Sequence, residues 1–567
     1  MTEEEDYLAA HARLMHEAWP AGIAREASYP LGRITLTAHL AHWAKVRPND
    51  TAIVYYGTEI GWAQLDSDAN RFAALLIRRG IAPGYRVAVF LPNCPQFHIV
   101  FHGILRAGAV HVPISPLSTE HELAYVLNDT GARILVTLDA LVPVATAAVA
   151  EADIEIFSTA LAEMLPQVPA FDVHPSLATP PADCPGTTAL LPALAAMPAD
   201  PLDLGSLDAP AALNYTGGTT GMPKGCIHTQ ADMVFTGAAN WSVTPEPRAG
   251  VTLCFFPEFW IAGENLALIF PLMTGEPLVL LTRWDALAVL QAIERYRVTL
   301  IALVVDGAIE LMDRPDFGDF DLSSLNRVRV VSFIKKLDSE IRARWKALTG
   351  TVLAEAAWGM TETHTSNTFT TGMQDDDFDL KQQPIFVGLP VPGNQFVIRD
   401  FETGAILPFG QEGEITVRSP AMLKGYWQRP EATAEAIRGG FLHTGDIGVI
   451  DESGYLHYLG RRKEMLKVRG MSVFPAEIEA VLGKHPGVKG SGVVGRLDPH
   501  SGQVPVAFVT TADPGLTAEA LAGWLGERLS KFKLPEIRVV EALPMTATGK
   551  IRKAKLAEWA EHGEHIA

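Results

Sequence analysis

Hydrophobic positions Leu65, Ala69, Phe72 and Leu76 fall at helical spacing and Gly80 closes the run, after which Arg86-Val87-Ala88-Val89-Phe90-Leu91 reads as a short apolar strand. The alternation repeats. A helical run over 97–106 precedes Ala109-Val110-His111-Val112-Pro113-Ile114, and one over 120–128 precedes Arg133-Ile134-Leu135-Val136-Thr137. Strands that are apolar at nearly every position are buried on both faces, so this part predicts a parallel sheet between helix layers. Between 140 and 208 the pattern fades into Ala- and Pro-rich sequence, with Pro180-Pro181 and Pro192, which predicts a partly helical surface connection. Apolar runs at 277–281, 298–305 and 328–331 again alternate with helices and predict a second layered α/β unit. Gly413-Glu414-Ile415-Thr416-Val417-Arg418 and its glycine-punctuated neighbours predict short strands of a smaller β element.

Length and charge narrow this picture. A chain of 567 residues exceeds what one core usually spans, so two or more domains are expected. A formal net charge of −19 argues against a general nucleic-acid or anionic-membrane binder, and any anion site must be local. Cys94, Cys184, Cys226 and Cys254 lie far apart without metal-type spacing, which suits free thiols and disfavours zinc. No leader, peroxisomal address or membrane-length apolar run is recognisable, so a cytoplasmic protein without an integral membrane segment is expected. The cluster Asp375, Asp376, Asp377, Asp379 lacks the ligand spacing of a calcium loop and predicts a solvated loop.

Four stretches carry candidate chemistry. In Tyr215-Thr216-Gly217-Gly218-Thr219-Thr220-Gly221-Met222-Pro223-Lys224-Gly225, glycines at 217, 218 and 221 allow backbone N–H groups to converge on an anion, threonines add hydroxyl donors, and Lys224 adds a charge. A polyphosphate fits that set, although a flexible glycine-rich turn shares its composition. Pro before Lys224 and Gly after it separate the stretch from the Walker pattern. In Ala357-Trp358-Gly359-Met360-Thr361-Glu362-Thr363, a flat aromatic, a close-approach glycine, a hydroxyl and a carboxylate could serve a nucleotide and Mg²⁺. For that segment alone, a strand end with a core Trp is the simpler account. Asp446, in Phe441-Leu442-His443-Thr444-Gly445-Asp446, can accept from both hydroxyls of a ribose, with Arg461 adding a charged contact. The basic run from Arg461 to Arg469 would by itself be a solvated face, and Lys550 in Pro544-Met545-Thr546-Ala547-Thr548-Gly549-Lys550 a surface cation.

Together, in this order, the four stretches resemble the adenylate-forming superfamily of acyl-CoA synthetases, peptide-synthetase adenylation domains and beetle luciferases, in its acyl-CoA ligase branch. The resemblance covers roughly residues 35 to 555. It implies an α/β fold: a large N-terminal domain of two layered α/β sheets plus a small β-barrel-like element, and a small mobile α+β C-terminal domain. The implied boundaries are 1–460 and 461–567, with the hinge near Lys463. It places Thr216, Gly217, Gly218, Thr219, Thr220, Gly221 and Lys224 around phosphates, and Trp358, where Tyr is more usual, against adenine beside Gly359. Thr361 lies near phosphate, Glu362 on the metal, and Asp446 and Arg461 at the nucleotide. Lys550 is the lysine of adenylation, and domain rotation then replaces it with the segment holding Lys467 and Gly470. The implied reaction turns a carboxylic acid and ATP into acyl-AMP and pyrophosphate, then acyl-AMP and CoA into a thioester and AMP. Implied partners are the acid, ATP, Mg²⁺ and CoA, with no nucleic acid and with homodimerisation left open.

The acid pocket departs from the family. The small Gly-Gly-Ala-Pro loop expected after Ser332 is Phe333-Ile334-Lys335-Lys336, and the His usual after Pro-x-Phe259 is Trp260, with Glu264 one turn on. Bulk at Phe333 and Trp260 should shorten or flatten the cavity. Glu264, Asp306 and Lys335 either pair with one another, face water or meet a polar substrate group. The acid is thus expected to be fatty, aromatic or arylalkanoic, with room for a second polar group. In amino-acid-activating relatives an aspartate near Phe259 anchors the amine. Here Glu258 is one residue away, on the other face of an extended chain, which disfavours amino acids. Loading of a carrier protein and a non-catalytic nucleotide-binding role are the other classes considered.

Overall fold

The computed structural model describes residues 2–149, 153–216, 222–244, 250–355, 358–382, 385–469, 471–546 and 549–562. Two seven-stranded sheets dominate the large domain. One runs in spatial order Leu353–Glu355, Arg327–Val331, Leu300–Val304, Thr252–Cys254, Leu278–Leu280, Thr51–Tyr55, Thr58–Gly61, parallel except for its final hairpin. The other is ordered Thr188–Ala189, Glu155–Thr159, Ile134–Leu138, Arg86–Phe90, Val110–Pro113, Pro210–Tyr215, Gly225–Thr229, and it too ends in an antiparallel hairpin.

Helices Trp62–Arg78 and Pro95–Arg106 pack together and join the core that the two sheets share. Every residue of the second is buried, including Gln96, His98, His102 and Arg106, and Gln96, His98 and Arg106 meet polar partners at Thr159, Glu258 and Asp66. Gly103 seats against Phe72, where an added Cβ would lie 2.8 Å from the Phe72 Cβ. The expected parallel, doubly covered arrangement is therefore present.

The connection expected over 140–208 is richer than its sequence. Glu155–Thr159 forms a parallel strand in register with Ile134–Leu138 along its whole length, and Thr188–Ala189 extends the sheet beyond it. Five residues set among alanines and prolines carry no readable period; pairing to a neighbouring edge is what makes them a strand.

A third, antiparallel sheet is ordered Thr368–Phe369, Ile385–Pro390, Leu456–Arg461, Phe441–Ile450, Gly413–Arg418, Gln395–Arg399, and it curls into the expected half-barrel. After the turn Arg462–Glu464, a separate sheet is built on Leu466–Val468, Met471–Val473, Val488–Asp498, Gly502–Thr511 and Glu536–Val539. Helices Pro475–Gly483 and Ala518–Gly526 pack with one core of this module, and helix Lys553–His562 with another.

The acidic cluster is a second departure. Asp375 and Asp376 are exposed, but Asp379 is 5% exposed and receives both guanidinium nitrogens of Arg342 at 2.7 Å, with Asp377 adding a contact at 2.9 Å. Half of a loop expected to be solvated neutralises a buried arginine. Among the described residues, no helix is long and apolar enough to cross a membrane, and no three potential ligands cluster for a metal.

Candidate active site

The hairpin Pro210–Tyr215/Gly225–Thr229 carries the candidate phosphate loop at its tip. Its base is closed by Thr216 N–H donating to the Lys224 carbonyl at 2.9 Å. Gly217, Gly218, Thr219, Thr220 and Gly221 lie outside the described residues, as does Gly470. Lys224 Nζ stands 4.4 Å from the centroid of the Tyr426 ring, and the Tyr426 hydroxyl donates to Glu362 Oε1 at 3.0 Å. Burial, followed by the Glu362 charge, pushes the Tyr426 pKa up, so its proton stays in that bond. Lys224 and Glu362, distant in sequence, thus flank one aromatic ring. Tyr426 was not singled out from the sequence. Gly425-Tyr426-Trp427 has no telling spacing, and backbone pairing of 424–427 with 225–227 brings Tyr426 here.

The segment holding Thr361 and Glu362 is tied down on both sides. Gly359–Met360 pairs with Thr365–Ser366 so tightly that a Cβ on Gly359 would overlap the Thr365 carbonyl. His364 and Thr365 take φ of 57° and 97°, a left-handed turn that reverses the chain directly after Glu362. The Thr361 carbonyl accepts from His228 Nε2 at 2.8 Å, and the Glu362 carbonyl accepts from Leu423 N–H at 2.8 Å.

Trp358 is buried and meets Phe396 edge-on, with ring centroids 5.6 Å apart. Its indole N–H donates to Asp446 Oδ2 at 2.9 Å. Asp446 Oδ1 has no hydrogen bond, although Arg461 Nε lies 3.1 Å away. Asp446 is 2% exposed, and burial raises its pKa to about 6 against the opposing pull of Arg461. Oδ1 is thus the carboxylate oxygen that no hydrogen bond engages.

Lys550 arrives from the C-terminal module with Nζ 5.7 Å from the Trp260 ring centroid. Lys550 is exposed, yet partial desolvation of its amine, and then the Arg461 charge, lower its pKa, while Asp446, Glu362 and Glu464 pull the other way. Trp260 continues an aromatic row: Phe255–Phe256 at 5.1 Å, Phe256–Trp260 at 6.2 Å and Trp260–Phe333 at 5.9 Å between centroids. Phe259 is half-buried beside it. Lys467 sits elsewhere, exposed on the hairpin Leu466–Val468/Met471–Val473 with its amine donating to Ser472 Oγ at 2.9 Å.

The three charges expected near the acid have separate fates. Glu264, fully buried at the start of a π-type turn over Glu264–Ile269, accepts from Asn214 at 2.7 Å and lies 3.3 Å from His364 Nε2. Burial opposes its ionisation, but His364, His111 and Asn214 outweigh that and lower its pKa. Asp306 accepts the Lys335 backbone N–H at 3.3 Å. The Lys335 amine is taken up by carbonyls of the C-terminal module. Glu258 is likewise buried, with Oε1 2.5 Å from His98 Nε2. Sequence spacing could not reveal these partners, which come from separate helices, strands and loops.

Two family models match the chain: AMP-binding enzyme over residues 40–427 and AMP-binding enzyme C-terminal domain over 477–550. A long-chain-fatty-acid–CoA ligase of Bacillus subtilis (strain 168) is 32% identical over 557 residues, covering 95% of this chain and 96% of that one. The anthranilate CoA ligase AuaEII, solved with anthranoyl-AMP, superposes with a TM-score of 0.80 at 27% identity, covering 93% and 97% of the two chains. The amide bond synthetase McbA from Marinactinospora thermotolerans does so with a TM-score of 0.79 at 27% identity, covering 92% and 99%. The chain therefore belongs to the AMP-binding enzyme family, in its acyl-CoA ligase branch.

Proposed function

We propose that this enzyme is an ATP-dependent acid–thiol ligase acting through an acyl adenylate. The observation that carries the reading is the arrival of Lys550 at Trp260, in the face of the large domain where Phe333 also packs. A carboxylate oxygen attacks the α-phosphorus of ATP, the bond to the β-phosphate oxygen breaks, and pyrophosphate leaves. Anionic oxygens crowd together in that step, and preorganised positive groups lower its barrier. Lys550 and Arg461 provide such charge from one side and Lys224 from the other. Asp446 orients the ribose through its unpaired oxygen. A bound magnesium ion would offset phosphate charge. Glu362 fits it, because Tyr426 engages only one of its oxygens and Mg²⁺ commonly takes one or two protein carboxylates alongside phosphate oxygens.

In the second step the sulfur of CoA attacks the acyl carbon, the carbon–oxygen bond to AMP breaks, and the thiol proton passes to solvent. Lys467 and Gly470 serve this step once the module beyond the 462–464 turn has rotated, with Lys463 at the hinge. The aromatic row from Phe255 to Phe333 favours a flat acid, aromatic or arylalkanoic, over a plain long chain. The test is release of pyrophosphate and AMP with hexadecanoate, benzoate, 3-phenylpropanoate and malonate, each with CoA and, in parallel, with a phosphopantetheinylated carrier protein. CoA-dependent AMP formation with an aryl acid supports the proposal. Transfer to the carrier alone replaces the acceptor, and silence across the panel rejects the reading.

A further inference from the structure

We infer that Lys335 is a positioning residue: it seats the C-terminal module on the large domain and thereby holds Lys550 at Trp260. Lys335 is 7% exposed and, among the described residues, makes no ion pair with a carboxylate. Instead Nζ donates to the carbonyls of Gly483 at 3.0 Å, Val488 at 3.2 Å and His485 at 3.5 Å. An ammonium has three N–H donors, so all three can be satisfied here. Gly483 ends helix Pro475–Gly483, where the negative end of the helix dipole attracts a cation; His485 lies in the turn that follows, and Val488 opens the strand Val488–Asp498. A buried cation that bridges two modules through carbonyls alone is well placed only while the modules are docked.

The loop around Lys335 is shaped for the same contact. A Cβ on Gly490 would overlap Ile334 Cγ2, one on Gly483 would lie 2.5 Å from Lys336 Cγ, and one on Gly549 3.9 Å from the Phe333 ring. The C-terminal module thus presents bare backbone at the places where this loop rests. On the other side the loop is fixed to the large domain. Ser332 donates to Glu355 from its backbone at 3.0 Å and its hydroxyl at 2.7 Å, Lys336 Nζ donates to the Ser332 carbonyl at 2.7 Å, and Asp306 accepts the Lys335 N–H. Phe333, two residues before Lys335, packs on Trp260, the ring under Lys550. One rigid loop therefore touches both the docking surface and the landing place of Lys550.

The catalytic consequence rests on the proposed role of Lys550, but docking can be read without it. The test uses the full chain in a Cys184→Ser background, with dyes at Leu348→Cys in the large domain and Leu497→Cys in the small module, both exposed positions. Energy transfer between them reports docking without ligand. Lys335→Met should lower the docked-to-undocked ratio on the order of tenfold, the scale of a hydrogen-bonded charge. Lys335→Arg, which keeps the cation, should stay closer to the wild type. Gly490→Ala approaches from the other partner and should undock the module in the same way, because alanine is tolerated in a strand. In pyrophosphate release with benzoate, Lys335→Met should lower kcat by a similar factor with little change in KM for ATP, while thioester formation from supplied benzoyl-AMP persists. Unchanged energy transfer in Lys335→Met would overturn the inference, whatever Gly490→Ala does. If energy transfer shifts while no acid yields pyrophosphate in any variant, the functional proposal falls and the docking role stands.

Discussion

Asp446→Asn offers a direct measurement of how the site reads a nucleotide. In the wild type, burial lifts the Asp446 pKa from 3.8 to about 6, and Oδ1 is the oxygen without a hydrogen bond. A raised carboxylate pKa means that the ionised form, the one able to accept from a ribose hydroxyl while facing Arg461, is present above that pH and lost as the pH falls through it. One unit below the pKa only about a tenth of the sites are ionised, so affinity should drop about tenfold between pH 7 and pH 5. Adenosine is the suitable probe, because it carries no phosphate that titrates in this range, and quenching of the indole of Trp358, bonded to Asp446, gives the signal. Asp446→Asn should bind about tenfold more weakly near neutrality, having lost a charge-assisted hydrogen bond, and should show a flat profile. The same shift acts on folding: protonated Asp446 is the favoured native form, so its contribution to stability declines as the pH rises from about 4 to about 6. About two units correspond to about 3 kcal/mol. A wild-type adenosine profile flat from about pH 5 to 7, or a slope retained in Asp446→Asn, would refute the assignment.

Lys550→Ala should slow pyrophosphate release on the order of a hundredfold or more while thioester formation from supplied acyl-AMP survives; equal loss of both half-reactions would remove the role given to this lysine. Lys467→Ala should show the converse, normal pyrophosphate release and slowed CoA transfer in single-turnover assays, since Lys467 is exposed here with its amine on Ser472. Gly359→Ala forces a Cβ onto the Thr365 carbonyl, and overpacking of this kind typically costs about 1–3 kcal/mol. Its signature should be a lowered unfolding midpoint together with a raised KM for Mg·ATP, as the turn bearing Glu362 shifts. Arg342→Met strands the buried Asp379 and should destabilise the large domain by about 3–5 kcal/mol, seen in urea denaturation. Arg342→Met with Asp379→Leu should recover much of that loss.

Much of the architecture is written locally. Strands such as Arg86–Phe90 and Leu300–Val304 are apolar at almost every position because both faces are covered, and that pattern survives in the sequence whatever packs there. The candidate site was legible through short contiguous stretches, where glycine, hydroxyl and charge occur side by side as in Trp358-Gly359-Met360-Thr361-Glu362. Sequence also flagged that 333–336 is unusual, through the bulk and charge standing where small residues were expected.

What tertiary structure alone decided is who meets whom. Glu155–Thr159 became a strand because Ile134–Leu138 offered an edge, and Asp379 left solvent because Arg342 lies buried beside it. Tyr426 joined Lys224 to Glu362 because backbone pairing of 424–427 with 225–227 put it there, and Lys335 turned to the carbonyls of another module where its sequence position suggested an acid pocket. In each case the partner is remote along the chain. The cost of burying a charge or an unpaired backbone group depends on the partner's position in space, so no local pattern of residues can encode the outcome.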